Sequence, residues 1–321
     1  MEKWLVGIDL GGTTIKFAFI SQNGDILQKW TIPTDTSNAG INIIPDMANS
    51  ILNRLQKCNQ DKSIIKGLGI GAPAFMNMET GFIYEAVNLG WKNINIKFEL
   101  EQRLNVPVVI DNDANIAAIG EMWKGAGSGS KDLLCVTLGT GVGGGIIING
   151  EIVHGTNGMA GEIGHITVVT ENGIQCNCGK RGCLETISSA TGIVRIAKSK
   201  IESYPNSILF KQFKETGRVT AKMIVEAASV NDKLAFDVLD TSCYYLGLAL
   251  GNISNTINPS KIVIGGGVSQ AGPLLLELIS KHFKQFALPR VYEGADLVIA
   301  TLGNDAGVIG GAWLVKNDVS L

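Results

Sequence analysis

The chain has no cluster of lysine or arginine. Its 27 basic and 29 acidic side chains are dispersed and nearly balanced, for a net charge of −2 over 321 residues. That excludes the electrostatic footprint of a protein that binds nucleic acid or an anionic membrane. No apolar run reaches the roughly 20 residues that a transmembrane helix needs. The opening MEKWLVGIDL reads as a strand, not as a secretory leader. A soluble, cytoplasmic protein is expected, in a reducing compartment that favours thiolates and metal ligation over disulfides. Two common nucleotide signatures are also missing. There is no G-x-x-x-x-G-K-[ST], which removes a P-loop. Gly139–Gly144 imitates G-x-G-x-x-G, but a β-like run follows it where a dinucleotide fold needs a helix.

Glycine is what the chain has in quantity. Its 40 glycines gather in short patches behind β-like runs, a sign of many tight backbone turns. With 45% hydrophobic and 17% charged residues, the rest is an ordinary globular composition, long enough for two domains. Two distant segments echo each other: Trp4–Ile20 and Leu133–Ile148 each read as a β-rich run, a Gly/Thr turn and a second β-rich run. Each is expected to be a hairpin, and the echo suggests two halves of related architecture.

Between and after them the pattern alternates. A third strand is expected near Ile26–Ile32, a helix over Ile43–Lys57, a strand over Lys66–Gly71, a helix over Phe98–Leu104, a strand over Val106–Ile110 and a helix over Ala114–Trp123. Helices follow near Ile193–Lys200, Ala221–Ala228, Leu234–Ile257, Pro273–Phe286 and Ala306–Lys316, with strands at Lys261–Ile264 and Leu297–Ala300. This is the α/β class. A boundary is placed near residue 112: 1–112 plus 305–321 as a small N-terminal α/β domain, and 113–304 as a larger C-terminal α/β domain.

Four groups of residues carry chemistry. Glu162-x-x-His165, Cys176-x-Cys178-x4-Cys183 and Glu185 supply the three thiols and one imidazole of a closed tetrahedral zinc site, with two carboxylates left to bond something else. A disulfide, or a zinc with no part in binding, are the plainer readings. Asp9 and the turn Gly11-Gly12-Thr13-Thr14 offer backbone N–H groups and hydroxyls to phosphate, and Asp9 is suited to hold Mg²⁺ through water; a plain Gly-rich hairpin is the alternative. Thr137 and Gly139-Thr140-Gly141 repeat the offer, and Gly266 and Gly267 end a strand where adenosine can lie over bare backbone. Asp113 stands where a helix begins, which makes it either the N-cap or a carboxylate poised to take a proton from a hydroxyl. Asn112 and Asn88 have amides suited to further hydroxyls, although Asn88 lies in a turn beside a tryptophan that is expected to pack.

Together, DLGGTTIK (9–16), VTLGTGVGGGIIINGEIVHGTNGMAGEIGH (136–165), CNCGKRGCLE (176–185) and GGGV (265–268) resemble the ROK family of sugar kinases and repressors, within the hexokinase/actin-like ATPase superfamily. The resemblance implies two actin-like (ribonuclease H-like) domains around a cleft that closes on sugar. It implies that Asp113 is the catalytic base; that Asn88, Asn112, Glu162, His165 and Glu185 hold the sugar; and that His165, Cys176, Cys178 and Cys183 bind structural zinc. It implies ATP with Mg²⁺ as donor, with Asp9, Gly11, Gly12, Thr13, Thr14, Thr137, Gly139, Thr140, Gly141, Gly266 and Gly267 at the nucleotide. EAVNLGW (85–91) is similar to the matching segment of the family's glucokinases, which points to glucose, with N-acetylmannosamine or fructose as other hexoses. A homo-oligomer, dimer or tetramer, is implied, with no nucleic-acid or membrane partner. The family's sugar-sensing regulators carry an extra N-terminal DNA-binding domain; with a phosphate strand starting at Trp4, none is expected here. One position departs from the pattern: Gly71-Ala72-Pro73 is followed by Ala74 where the family often has glycine, and a Cβ there bears on sugar specificity.

Overall fold

Along Trp4–Leu10 alternate side chains leave on opposite faces, and both faces are largely buried, which is why the segment reads as an apolar run interrupted only by Asp9. The computed structural model describes residues 2–318 and divides into two units. One comprises Met1–Gly129, Ile152–Ala160 and Leu302–Leu321; the other comprises Ser130–Glu151 and Gly161–Thr301.

In the first unit β1 (Trp4–Leu10), β2 (Thr14–Ile20) and β3 (Ile26–Pro33) form an antiparallel ribbon. Then come α1 (Ile43–Lys57), β4 (Ile65–Ala72), the short strands β5 (Phe75–Asn77), β6 (Phe82–Ala86) and β7 (Trp91–Asn95), α2 (Ile96–Leu104), β8 (Val108–Asn112) and α3 (Asp113–Lys124). The sheet order is β3-β2-β1-β4-β8, with β1, β4 and β8 parallel. Val6, Ile8 and Leu10 pack with Ile43, Met47, Ile51 and Leu55 of α1. Leu5, Ala18 and Ile20 pack on the other face with Val308, Ile309, Ala312 and Val315 of the closing helix, Ala306–Asn317. That helix lies almost against bare strand backbone: a Cβ on Gly7 would sit 1.7 Å from the Val308 carbonyl oxygen, and one on Gly69 1.8 Å from that of Gly311.

The second unit repeats the plan. Strands β9 (Leu133–Leu138), β10 (Val142–Ile148) and β11 (Glu151–Ile152) are followed by helices α4 (Glu185–Ser188), α5 (Ala190–Lys200), α6 (Ile208–Thr216), α7 (Ala221–Ser229) and α8 (Lys233–Ile257). Then come β12 (Lys261–Gly265), α9 (Pro273–Phe286), α10 (Pro289–Gly294) and β13 (Asp296–Ile299), before the closing helix, α11. The order β11-β10-β9-β12-β13 matches the first sheet position for position, with β9 and β10 antiparallel and β9, β12 and β13 parallel. The echo in the sequence is therefore a repeated topology. Both expected hairpins form, and no helix among the described residues is long and apolar enough to cross a membrane.

Helices α4, α6 and α10 were not expected; three further differences from expectation have local causes. β8 starts at Val108, not Val106, because Pro107 has no N–H for the ladder; its carbonyl accepts from Leu68 N–H instead. α2 starts at Ile96, where the Asn95 side chain accepts from Phe98 N–H at 2.9 Å. β5, β6 and β7 were not foreseen, because strands of three to five residues leave no measurable alternation.

Candidate functional site

In the first unit, the parallel strands β1, β4 and β8 end level with one another: Asp9 pairs with Gly71, and Gly71 with Asp111. Open α/β sheets bind ligands beyond the carboxyl ends of such strands, and here the candidate residues collect. Gly11 N–H bonds to the Thr14 carbonyl at 3.1 Å and closes the turn. Thr34 braces it, donating N–H to Thr13 O at 2.9 Å and its hydroxyl to Gly11 O at 2.6 Å. Asn88 stands beside the same turn, since a Cβ on Gly12 would lie 3.2 Å from the Asn88 Cβ. Its own turn, Val87–Leu89, ends at Gly90 with φ 73°. The buried Trp91 that follows donates its indole N–H to Gly40 O at 3.0 Å, so the expected turn and the expected packed tryptophan together fix Asn88.

Asp113 is the first residue of α3, and the cap belongs to its neighbour: Asn112 Oδ1 accepts from Ala114 N–H at 2.8 Å and from Asn115 N–H at 3.4 Å. The Asp113 Oδ1 accepts from Ala114 N–H as well, at 2.9 Å. With capping done by Asn112, the fold does not require Asp113 as the N-cap.

In the second unit the hairpin turn Gly139–Gly141 is held by Ala190 N–H to Gly139 O at 2.8 Å and by the Thr191 hydroxyl to Thr140 O at 3.0 Å. Thr137 pairs with Gly265, and Gly266 follows with φ 84° so close to β9 that a Cβ would meet the Leu138 carbonyl at 2.5 Å. Gly267 faces open space. Gly141 makes room for Glu185: a Cβ there would lie 2.3 Å from Glu185 Oε2, which accepts from Val142 N–H at 3.1 Å. One oxygen of Glu185 is thus held by backbone, which narrows the expectation that both carboxylates of the loop are free for a ligand. Its other oxygen lies 3.9 Å from Cys176 Sγ.

His165, Cys176, Cys178 and Cys183 place their ligand atoms within 4.8 Å of one another. Cys178 Sγ and Cys183 Sγ are 3.6 Å apart, as are Cys176 Sγ and His165 Nδ1. A tetrahedral site with metal–sulfur bonds near 2.3 Å has edges of about 3.8 Å, so this donor set fits one metal ion. All six cysteines are free thiols, which sets the disulfide alternative aside. Burial pushes the Cys183 thiol up to about 12 and raises Cys176. Burial also opposes ionisation of Cys178, but hydrogen bonds from Lys180 N–H and the neighbouring thiols leave it below the usual thiol value. The second nitrogen of His165 turns the other way, with Nε2 3.9 Å from Glu162 Oε2.

Two further pairs escaped the sequence reading. Lys16 donates to Asp9 Oδ2 at 2.8 Å, placing a cation beside the first turn; the cross-strand register of β1 and β2, which sets Asp9 opposite Lys16, was the signal. Asp111, 1% exposed, accepts from Asn112 N–H at 2.7 Å and Asn115 Nδ2 at 2.8 Å on one oxygen, and meets His154 Nε2 at 2.7 Å on the other. That hydrogen bond raises the His154 pKa above the ordinary imidazole value, against partial burial. Ala74, the departure from the family pattern, packs against the core of its own unit.

Two sheets of one topology, each opening on a Gly-rich hairpin turn, are the two actin-like domains of the hexokinase/actin-like ATPase fold. The chain belongs to the ROK family, whose model matches residues 5–318. It is 56% identical to a glucokinase of Halalkalibacterium halodurans over 98% of this chain and 96% of that one. It is 34% identical to a glucokinase of Thermotoga maritima over 98% of both. Among solved structures it resembles a ROK family glucokinase from Streptomyces griseus in complex with glucose and AMPPNP, with a TM-score of 0.80 and 34% identity over 97% of this chain and 98% of that one.

Proposed function

We propose that the chain moves the γ-phosphoryl group of ATP to the 6-hydroxyl of glucose, with Asp113 as the base. The observation that carries this is the division of roles at the start of α3, where Asn112 caps the helix and Asp113 is the first residue within it. The similarity to glucokinases over nearly the whole chain supports glucose as the acceptor. Asn112 Oδ1 is engaged by the helix, so its Nδ2 is the end it can turn to a sugar hydroxyl. Asn88, Glu162, His165 and Glu185 complete the sugar contacts. Asp113 takes the 6-hydroxyl proton as that oxygen bonds to the γ-phosphorus and the bond to ADP breaks. Phosphoryl transfer proceeds through a loose transition state, so the proton moves late and positioning supplies most of the rate.

The nucleotide, with its Mg²⁺, is assigned to the turns at Asp9–Thr14 and Thr137–Gly141 and to Gly266 and Gly267. His165, Cys176, Cys178 and Cys183 would hold zinc, which when bound fixes the His165 tautomer and stiffens the loop that carries Glu185. A coupled ADP-release assay with ATP and Mg²⁺ tests the reading over glucose, mannose, fructose, N-acetylglucosamine and N-acetylmannosamine. The expected result is the highest kcat/KM on glucose. Preference for an N-acetyl sugar would keep the reaction and replace the substrate, and no turnover on any of them would overturn it.

A further inference from the structure

The turn that presents Asp113 is tied down from behind. Asp111 is the penultimate residue of β8, two residues before Asp113, and is almost fully buried. A buried carboxylate persists only where donors replace its water, and Asp111 has three. Two of them, Asn112 N–H and Asn115 Nδ2, belong to the β8–α3 junction itself. The third, His154 Nε2, comes from far along the chain. His154 lies in Ile152–Ala160, a segment that belongs to the first unit although the residues on either side of it belong to the second.

We propose that His154 is a positioning residue for phosphoryl transfer: by donating to Asp111 it holds the β8–α3 turn in the one arrangement that aims Asp113. The proposal rests on the assignment of Asp113 as base. Asp111 Oδ1 fixes the peptide that joins it to Asn112, and Asn112 in turn caps the helix that Asp113 begins. Without His154, Oδ2 loses the partner seen here and the carboxylate must rotate towards other donors or water. Either movement pulls on the Asn112 peptide. Both the neutral Nε2–H tautomer and the imidazolium donate this bond, so the role does not require a charged histidine.

Steady-state kinetics of His154→Ala, His154→Gln and Asp111→Asn on glucose and ATP, with melting temperatures for each, test this. The Gln carboxamide can place a donor where Nε2 stands. His154→Ala is expected to lower kcat about 10- to 100-fold, the scale of a misaligned reacting group, with KM for ATP unchanged, and His154→Gln to recover most of it. The double variant His154→Ala/Asp111→Asn should be no slower than Asp111→Asn alone, because both changes act through one bond. The proposal is overturned if His154→Ala keeps wild-type kcat and raises only KM for glucose. It is equally overturned if Gln rescues no better than Ala at equal melting temperature, or if the two losses multiply. Asp113→Asn separates this from the parent reading: near-normal turnover there would remove the base assignment whatever the His154 variants do.

Discussion

Asn112 and Asp113 are neighbours with chemically similar side chains, and the fold makes Asn112 the helix cap and Asp113 the first residue of the helix. The cap needs an acceptor aimed back at the first turn of α3, which Asn112 Oδ1 provides. Asp113→Asn keeps shape and removes basicity, so kcat should fall by about 10²–10⁴, the usual contribution of a general base, while glucose KM changes by only a few-fold. Steady-state kinetics read both. His154 yields a second prediction at this scale. Its folded-state pKa is raised above the ordinary 6.5 by the bond to Asp111. The charged form is therefore stabilising, in full below the unfolded pKa, and that contribution is lost as pH rises through the folded value. In urea titrations the stability difference between wild type and His154→Gln should be largest near pH 5.5 and shrink as pH climbs past about 6.5; a gap that widens with pH would contradict the sign. The clustering of His165, Cys176, Cys178 and Cys183 was legible in the sequence because the three cysteines lie in one short stretch with an unusual pattern just after the histidine. The Asp111–His154 pair was not, because its members meet only when the chain returns to the first unit after β11.

Among the elements, α1, with Ile44, Met47, Ile51 and Leu55 on one side, runs over the expected Ile43–Lys57, whereas α5 begins three residues before the expected Ile193 and α6 was not expected. The three short strands after β4 had no such face and stayed invisible. The metal loop is a small element of its own, closed by pairing of Gln175 with Arg181 and of Thr167 with Cys183. Cys178→Ser removes one of the four groups proposed to hold zinc, and a three-ligand site would lose the closed shell that stabilises a structural ion. Zinc content after dialysis against a chelator should fall to background, and glucose KM should rise by about ten-fold or more, since loss of ligand-sphere support commonly costs 10- to 100-fold. Unchanged glucose KM in zinc-free protein would break the coupling of loop to sugar. Packing of α11 on β1 is as strict as the metal geometry. At Gly7 a Cβ would sit 1.7 Å from Val308 O, a backbone atom with no rotamer to turn. Gly7→Ala should cost about 3 kcal/mol and lower Tm by roughly 6–12 °C, measurable by differential scanning calorimetry.

For the whole molecule, the repeated sheet order means that each unit has its own core, but the chain does not keep the units in separate stretches. The core of the second unit is drawn wholly from residues between Leu134 and Ile299. The first unit is different: one face of its sheet is covered by Val308, Ile309, Ala312 and Val315 from the far end of the chain. Polar ties reinforce that cover. Glu121 Oε1 accepts from Leu302 N–H at 2.8 Å, and Lys66 Nζ reaches the Val315 and Lys316 carbonyls at the end of α11 at 3.2 and 3.3 Å. Burying each Val or Ile of that face contributes about 1.5–3 kcal/mol, against a total stability of about 5–15 kcal/mol for a domain. Deleting everything after Thr301 therefore removes a large part of the first unit's margin while leaving every core residue of the second in place. Hydrogen exchange on the truncated chain should show peptides from β1 and β4 exchanging as in an unfolded chain while peptides from α8 stay protected. Protection lost in both would mean that the second unit cannot stand without the first, and protection kept in both would mean that the closing helix is not what holds the first unit together.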